Sequence, residues 1–158
     1  MDKKFPNIAA FSLAYHPFEG GAEIALREIA ERLNDFKFTV FTHKFDSSWE
    51  SLESKWNTQI VRLGAGFKQG WYKQNFGKIL YVFKAWRRAE AIHGIEPFGL
   101  IWAMMASYGG LAALFFKLRH PKIPLLLTLQ EGDSEEHILR RVGIFYPFWR
   151  LTFKKADR

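Results

Sequence analysis

Short apolar segments alternate with segments of helical periodicity along almost the whole chain, and this alternation limits the fold more than any other feature. The run IPLLLTLQ has the unbroken apolar character of a strand that is covered on both faces of a parallel sheet. Strands are expected at 7–15, 36–43, 58–64, 98–103 and 123–130, and helices at 24–33, 75–94, 107–120, 134–141 and 146–155. The order β-α-β-β-α-β-α-β-α-α predicts an α/β fold with a doubly wound, mostly parallel, Rossmann-like sheet.

The composition excludes several classes of site. With no cysteine among its 158 residues, the chain has neither disulfides nor thiolate metal sites. Its five histidines show no HxH or HExxH spacing, so no metal and no other cofactor is expected. The net charge of +7 indicates an anionic partner. No RRM, KH or zinc pattern accompanies this charge, so nucleic acid is not the expected partner.

The segment EGGAE, residues 19–23, contains a pair of glycines between the first expected strand and the first expected helix. Such a loop lies at the carboxyl edge of a doubly wound sheet, where ligands bind. The N–H groups at the start of the helix point into that crevice, and residues without a Cβ let the backbone approach a phosphate. Gly20 and Gly21 therefore suit an anion site, but they suit a plain turn equally well. The GxGxxG and Walker A patterns are absent.

The segment FSLAYHPFEGGAEIALREIAERL resembles the opening of the family 4 glycosyltransferases, which have the GT-B fold. The residues that match this opening in order are Tyr15, Pro17, Gly20, Gly21, Ala22, Glu23 and Leu33. The later segment GLIWAMMASYGGLAALFFKLRHPKIPLLLTLQEGD is similar to the fourth strand, helix and fifth strand of that family. The terminal KKADR is similar to the Ala-Asp-Arg that precedes the family's next strand. The resemblance covers nearly the whole chain.

The resemblance implies that residues 1–158 form the N-terminal, acceptor-side domain of a hexosyltransferase, truncated before its last strand. Such an enzyme transfers a sugar from a nucleotide-sugar donor, without a metal and with retention of configuration. Its acceptor would be a lipid-linked sugar or a cell-envelope polysaccharide. The C-terminal nucleotide-sugar domain, with its Glu-x7-Glu signature, is absent, so the fragment alone is not expected to be active. A non-catalytic Rossmann-like domain that binds an anionic ligand or a partner protein is the alternative.

The same motifs suggest site residues, although none of them is identified as catalytic. Gly20 and Gly21 would bind the donor diphosphate, and Gln130 stands where the family has a histidine that contacts the donor sugar. The other candidate contacts to the acceptor or the donor sugar are Tyr15, His16, Glu23, Glu131 and Asp133. Simpler interpretations stay open, because a histidine suits an exposed loop and acids favour the start of a helix.

The segment FKQGWYKQNFGKILYVFKAWRR combines aromatic and basic residues around the second expected helix. Its apolar stripe consists of Phe76, Ile79, Leu80, Phe83 and Trp86. The stripe fits either a core-facing helix with a solvated basic face or a surface that contacts an anionic membrane. The candidate membrane face is Trp71, Tyr72, Lys78, Lys84, Arg87 and Arg88. Since no apolar run reaches the roughly 20 residues that span a bilayer, the expected location is cytoplasmic, at most peripheral to the inner face of the cell membrane.

Overall fold

The computed structural model describes residues 6–18, 20–66, 71–130 and 143–158, with the backbone alone at 71–75 and 144. Its strands are β1 (Asn7–Phe11), β2 (Lys37–His43), β3 (Leu52–Lys55), β4 (Thr58–Leu63), β5 (Phe98–Met104) and β6 (Leu125–Thr128). Its helices are α1 (Gly21–Arg32), α2 (Trp71–His93), α3 (Tyr108–Arg119) and α4 (Tyr146–Lys155), the last preceded by the short 3-10 helix Gly143–Phe145. Apart from β3 these elements match the expected ones with shifted ends, and the expected helix at 134–141 lies outside the described residues.

The six strands form one sheet in the order β3-β4-β2-β1-β5-β6. All neighbouring strands are parallel except β3, which is antiparallel to β4. From β1 the chain first builds outward through β2 and β4, and then returns to place β5 on the other side of β1. The prediction of a doubly wound, mostly parallel sheet is confirmed. Because the order reverses between β1 and β5, their carboxyl ends flank the crevice in which such sheets bind ligands.

The sequence pattern does not predict β3, because LESK has no apolar alternation. The strand pairs with β4 from Leu52↔Val61 to Lys55↔Thr58, through a turn at Trp56 and Asn57. Most of its residues are exposed. A short polar strand of this kind covers the edge of β4, which would otherwise be open to pairing with another chain.

Apolar side chains cover both faces of the sheet. On one face, beneath α2 and α3, the rings of Phe11 and Phe41 stack with their centroids 5.0 Å apart. On the other face, Leu26 and Ala30 of α1 belong to a second buried cluster with Phe38 of β2. Full burial of a large apolar side chain contributes about 1.5–3 kcal/mol. The central strands are therefore held firmly from both sides.

The face of helix α2 that packs on the core is not the face predicted from its apolar stripe. The residues that it buries are Gly77, Tyr81, Val82, Ala85 and Ala89. Phe76, Leu80 and Phe83 are instead exposed by 67%, 38% and 47%. The core-facing interpretation is therefore wrong for these three residues. The reason is steric, because small side chains let α2 lie close to α3, whose Ala112 and Ala113 belong to the same buried cluster.

The last residues lie alongside β6. The Asp157 carboxylate accepts hydrogen bonds from the buried Lys117 ammonium and from the Leu125 N–H, both at 2.8 Å. These bonds, the one from Lys117 first, hold the pKa of Asp157 below its ordinary value. Arg158 donates to the Leu125 carbonyl at 3.4 Å and accepts from the Leu127 N–H at 2.9 Å, which is the pattern of parallel pairing. These bonds agree with the interpretation of KKADR as the approach to a strand.

Candidate functional site

The crevice between β1 and β5 is walled by the N-termini of two helices, α1 after β1 and α3 after β5. Gly109 of α3 lies directly against the strand ends. A Cβ on Gly109 would be 2.8 Å from the Phe11 carbonyl oxygen and 3.0 Å from that of Met104. The absence of a side chain therefore lets α3 bring its positive end to the point where the strand order reverses. The sequence interpretation does not single out Gly109, although a glycine pair that opens an expected helix was a usable signal.

The predicted glycines Gly20 and Gly21 form the start of α1. Gly20 is the N-cap in an extended conformation, and as a glycine it has no side chain with which to cap the helix. The Glu23 carboxylate folds back against Gly20, where it would contact any added Cβ. A Cβ on Gly21, by contrast, would meet only the Gln130 Oε1 atom, at 3.9 Å, among the described residues. The structure thus brings Gly20, Gly21, Glu23 and Gln130 together.

Gln130 enters the crevice from the end of β6. Its backbone N–H donates to the Met105 Sδ atom at 3.4 Å, and the Met105 N–H donates to the Thr128 carbonyl at 2.8 Å. Met105 has a φ of 66°, a left-handed conformation that costs a non-glycine residue about 1–3 kcal/mol. Strained residues of this kind cluster at functional sites. Sequence reasoning misses Met105, because its conformation depends on how β5 and β6 are paired.

Tyr15 and His16 line a narrow recess between α1 and the β3–β4 hairpin, with Arg27 and Glu31 of α1 on its wall. Tyr15 is only 3% exposed. Burial, followed by the negative charge of Glu31, raises the pKa of Tyr15 to about 12. The Tyr15 ring is thus part of the core, while the His16 Nδ1 atom is buried with no partner among the described residues. A contact of either residue with an acceptor stays a prediction.

Arg62 of β4 positions the loop between β1 and α1. Its guanidinium donates to the His16 carbonyl at 2.8 Å and to the Glu50 carbonyl at 3.2 Å, and it pairs with the Glu53 carboxylate at 2.8 Å. The Arg62 side chain is 2% exposed, and a buried charge is tolerated only with such partners. The sequence carries no signal for this role, since the carbonyl partners are 12 and 46 residues away.

His43 ends β2 at the same edge of the sheet as Gly21. It is 5% exposed, and its Nδ1 atom has no partner among the described residues. Burial first, and then the positive charges of Lys78 and Lys84, lower the pKa of His43. The imidazole is therefore held neutral near pH 7.

The remaining predicted site residues are either not described by the structure or lie on α2. Glu131 and Asp133 lie outside the described residues, and Trp71 and Tyr72 are described by the backbone of α2 alone. Lys78 is half-buried. The α2 outer face, as we call it, consists of the exposed residues Phe76, Leu80, Phe83, Lys84, Arg87 and Arg88.

The part of the chain that the structure describes holds no group of three or more His, Cys, Asp or Glu residues placed to bind a metal ion. Nor does this part include a helix with the length and apolar character needed to cross a membrane. The crevice presents instead the backbone N–H groups of a helix start and a carboxamide that can both donate and accept hydrogen bonds. That combination suits an anion with hydroxyl groups nearby.

Comparison with known proteins identifies the fold. No family model matches the chain, and no curated protein matches its sequence. Two solved structures of sucrose-phosphate synthase from Thermosynechococcus elongatus superpose with TM-scores of 0.57 and 0.58, at 21% and 15% identity. The matches cover 85% and 96% of this chain, but only 67% and 41% of the respective synthase chains. Sucrose-phosphate synthase is a GT-B glycosyltransferase. The fold is that of a Rossmann-like GT-B half-domain.

In this chain the carboxyl edge of the sheet carries Gly21, Gln130 and the start of α3. The chain spans two thirds of one synthase structure and less than half of the other. At these identities the comparison concerns the fold alone.

Proposed function

We propose that this chain is the acceptor-side half of a GT-B glycosyltransferase of the family 4 type, and that its first glycine loop binds the donor diphosphate. The observation that carries the proposal is the start of α1 at the glycine pair Gly20 and Gly21, directly after β1 and beside the Gln130 side chain. The likeness to sucrose-phosphate synthase, a glycosyltransferase, supports the transferase part of the proposal.

The chemistry of the loop follows from its charge. In glycosyl transfer the bond between the anomeric carbon and the diphosphate oxygen breaks, and the diphosphate leaves with additional negative charge. Backbone N–H groups at a helix start stabilise such a charge, and they do so best when they are in place before the reaction. Glu23 opposes the anion, because its carboxylate lies at the same turn. We therefore expect Glu23 to turn away from Gly20 when the diphosphate binds.

The finer parts of the proposal rest on the resemblance to family 4. They are a hexose as the transferred sugar, retention of its configuration, and a lipid-linked sugar or polysaccharide as the acceptor. No metal or other cofactor enters the scheme. The second wall of the cleft would come from a nucleotide-sugar domain, with which this half-domain shares the donor.

The decisive experiment uses the whole product of the gene, including any sequence beyond Arg158, with UDP-glucose and GDP-mannose as donor probes. Gly21→Ala places a methyl group where only Gln130 lies within 4 Å, so the fold tolerates it while the approach of a phosphate is blocked. We expect kcat/KM for the donor to fall by about 100- to 1,000-fold, the scale for losing one oxyanion donor. Gly94→Ala is the matched control, because its Cβ also meets no atom closer than 3.7 Å.

Transfer by Gly21→Ala at the rate of the control would show that the loop does not bind the diphosphate. If neither donor is turned over or bound, and the reading frame stops at Arg158 without a second α/β domain, the non-catalytic binding domain becomes the better explanation.

The α2 outer face favours a second proposal, that the protein contacts the cytoplasmic surface of an anionic membrane. Phe76 and Phe83 are exposed by 67% and 47%, and Lys84, Arg87 and Arg88 are exposed next to them. Aromatic rings at the level of the lipid headgroups, together with basic residues, are the usual means of such contact. This placement would suit an enzyme with a lipid-linked acceptor.

A further inference from the structure

Trp56 occupies a position that the core does not explain, and its one recorded ring contact among the described residues is the Lys55 ammonium, which lies over the indole 5.5 Å from the ring centroid. It is the first central residue of the two-residue turn between β3 and β4, with a φ of 52°. Among the described non-glycine residues, only Trp56 and Met105 have a positive φ. When only the first central residue of a hairpin turn is left-handed, glycine is the favoured residue there. For a bulky residue this conformation costs about 1–2 kcal/mol.

The Trp56 side chain recovers little of that cost by burial, because it is 75% exposed. The neighbouring residue, Asn57, is the one that fixes the turn to the rest of the protein. The Asn57 Nδ2 atom donates to the carbonyls of Ala30, Leu33 and Phe36 at 2.9 Å, 3.0 Å and 3.0 Å. These bonds fasten the turn to the end of α1, and so the indole is presented to solvent from a fixed backbone.

The indole forms one wall of a concave surface of about 430 Å³, which lies between the turn and the end of α1. This volume is within the range of about 300–1,000 Å³ that is usual for small-ligand sites. The other residues that line it are Glu28, Glu31, Arg32 and Asn34. Arg32 and Glu28 form an ion pair at 2.7 Å, which orders one side of this surface. We call the surface the Trp56 cleft.

We propose that the Trp56 cleft binds a saccharide unit, with the C–H face of the sugar stacked on the side of the indole that Lys55 does not cover. The carboxylates of Glu28 and Glu31 and the carboxamide of Asn34 are planar groups with paired polar atoms, which match the vicinal hydroxyls of a sugar. A single ring supplies the apolar contact, so the arrangement suits a ligand that is apolar on one face and polar around its rim.

Other occupants fit less well. Aromatic hot spots of protein interfaces cluster in well-packed, fully desolvated pockets, whereas the groups around Trp56 are charged or carry an amide and would be costly to remove from water. A nucleic acid would bring phosphates towards Glu31 and the ion pair of Glu28 and Arg32, and these lining residues carry no net positive charge that would attract it.

The Trp56 cleft is separate from the crevice at Gly21. Thr58 begins β4, and α1 ends at Arg32, so the cleft lies at the amino edge of the parallel strands. The glycine loop lies at the opposite, carboxyl edge. Trp56 and Glu31 also line the recess that holds Tyr15 and His16. Saccharide binding at the cleft does not require transfer, so a half-domain without activity can still be tested for it.

The test is a titration of the 158-residue chain with two neutral probes, maltohexaose and cellohexaose, followed by the indole N–H signals in NMR spectra. We expect at least one probe to shift the Trp56 signal in a saturable way. Trp56→Ala should weaken binding by roughly three- to tenfold, the range for the loss of one aromatic contact, and Trp56→Phe should retain most of it. Glu31→Gln should also weaken binding.

Phe76→Ala is the matched control, because it removes an aromatic ring that is also largely exposed, by 67%, but lies on α2. Trp56→Gly relieves the strain of the left-handed backbone, so we expect its thermal stability to be unchanged or higher. If this variant nevertheless loses binding, unfolding is excluded as the cause. The proposal is overturned if neither probe shifts the Trp56 signal, or if Trp56→Ala binds as tightly as Phe76→Ala. A concentration-dependent dimer that Trp56→Ala abolishes would assign the surface to protein contact and overturn it as well.

Discussion

The close approach of α3 to the strand ends allows a quantitative test of the packing that builds the crevice. In Gly109→Ala the new Cβ would lie 2.8 Å from the Phe11 carbonyl oxygen and 3.0 Å from that of Met104. Both oxygens belong to the backbone of central strands, so neither can rotate away as a side chain would. The helix has to shift outward, and overpacking of this kind costs about 1–3 kcal/mol.

The conformational entropy of the unfolded chain changes the free energy of unfolding in the opposite direction. Replacing glycine by alanine restricts the unfolded chain and stabilises the folded state by about 0.4–1 kcal/mol when the backbone is compatible. The expected net loss for Gly109→Ala is therefore about 0–2.6 kcal/mol, and about 1–3 kcal/mol relative to a Gly→Ala change that makes no close contact. At about 2–4 °C per kcal/mol for a chain of this size, Tm should fall by up to roughly 10 °C.

Gly94→Ala isolates the steric term, because it changes the unfolded chain in the same way. Its Cβ would meet only the Ala91 and Glu90 carbonyl oxygens at 3.7 Å, an ordinary contact. We expect Gly94→Ala to be as stable as the wild type or slightly more stable. The assay is urea unfolding followed by circular dichroism, with all three proteins measured together. Equal free energies of unfolding for Gly109→Ala and Gly94→Ala would refute the argument that α3 depends on a bare backbone.

Three further predictions concern other parts of the molecule. Tyr81→Phe removes the hydrogen bond of 2.8 Å that the buried Tyr81 hydroxyl donates to the Phe41 carbonyl, so the free energy of unfolding should drop by about 0.5–1.5 kcal/mol. Tyr146→Phe changes an exposed ring and should leave the free energy of unfolding unchanged in the same urea titration. Because the pKa of His43 is lowered in the folded state, the unfolded state binds more protons, and the stability present above about pH 6.5 is lost as the pH falls towards the folded pKa. The free energy of unfolding, measured between about pH 8 and pH 5, should therefore fall with falling pH, and His43→Gln should reduce the slope. An unchanged slope would contradict this. Phe83→Ser should reduce the co-sedimentation of the protein with vesicles that contain anionic lipid. Ile95→Ser should not, because Ile95 is 89% exposed but lies outside α2. Equal, negligible sedimentation of the wild type with anionic and neutral vesicles would exclude the membrane proposal.

The site divides into residues that local sequence can reveal and residues that it cannot. Gly20 and Gly21 stand out in the sequence because the property that matters, a missing Cβ before a helix, belongs to the residues themselves. Arg62 and Met105 do not stand out. The role of Arg62 depends on carbonyl groups of distant loops, and the left-handed backbone of Met105 depends on the pairing of β5 with β6.

The sequence by itself determined the order of elements and the parallel sheet, because the length and period of an apolar run are local properties that limit what the run can pack against. It did not determine β3, whose polar residues become a strand only when they pair with β4. It also did not determine which side of α2 is buried. That choice belongs to the tertiary structure, because Ala85 and Ala89 are buried in the cluster that α2 shares with α3, while Phe76 stays exposed.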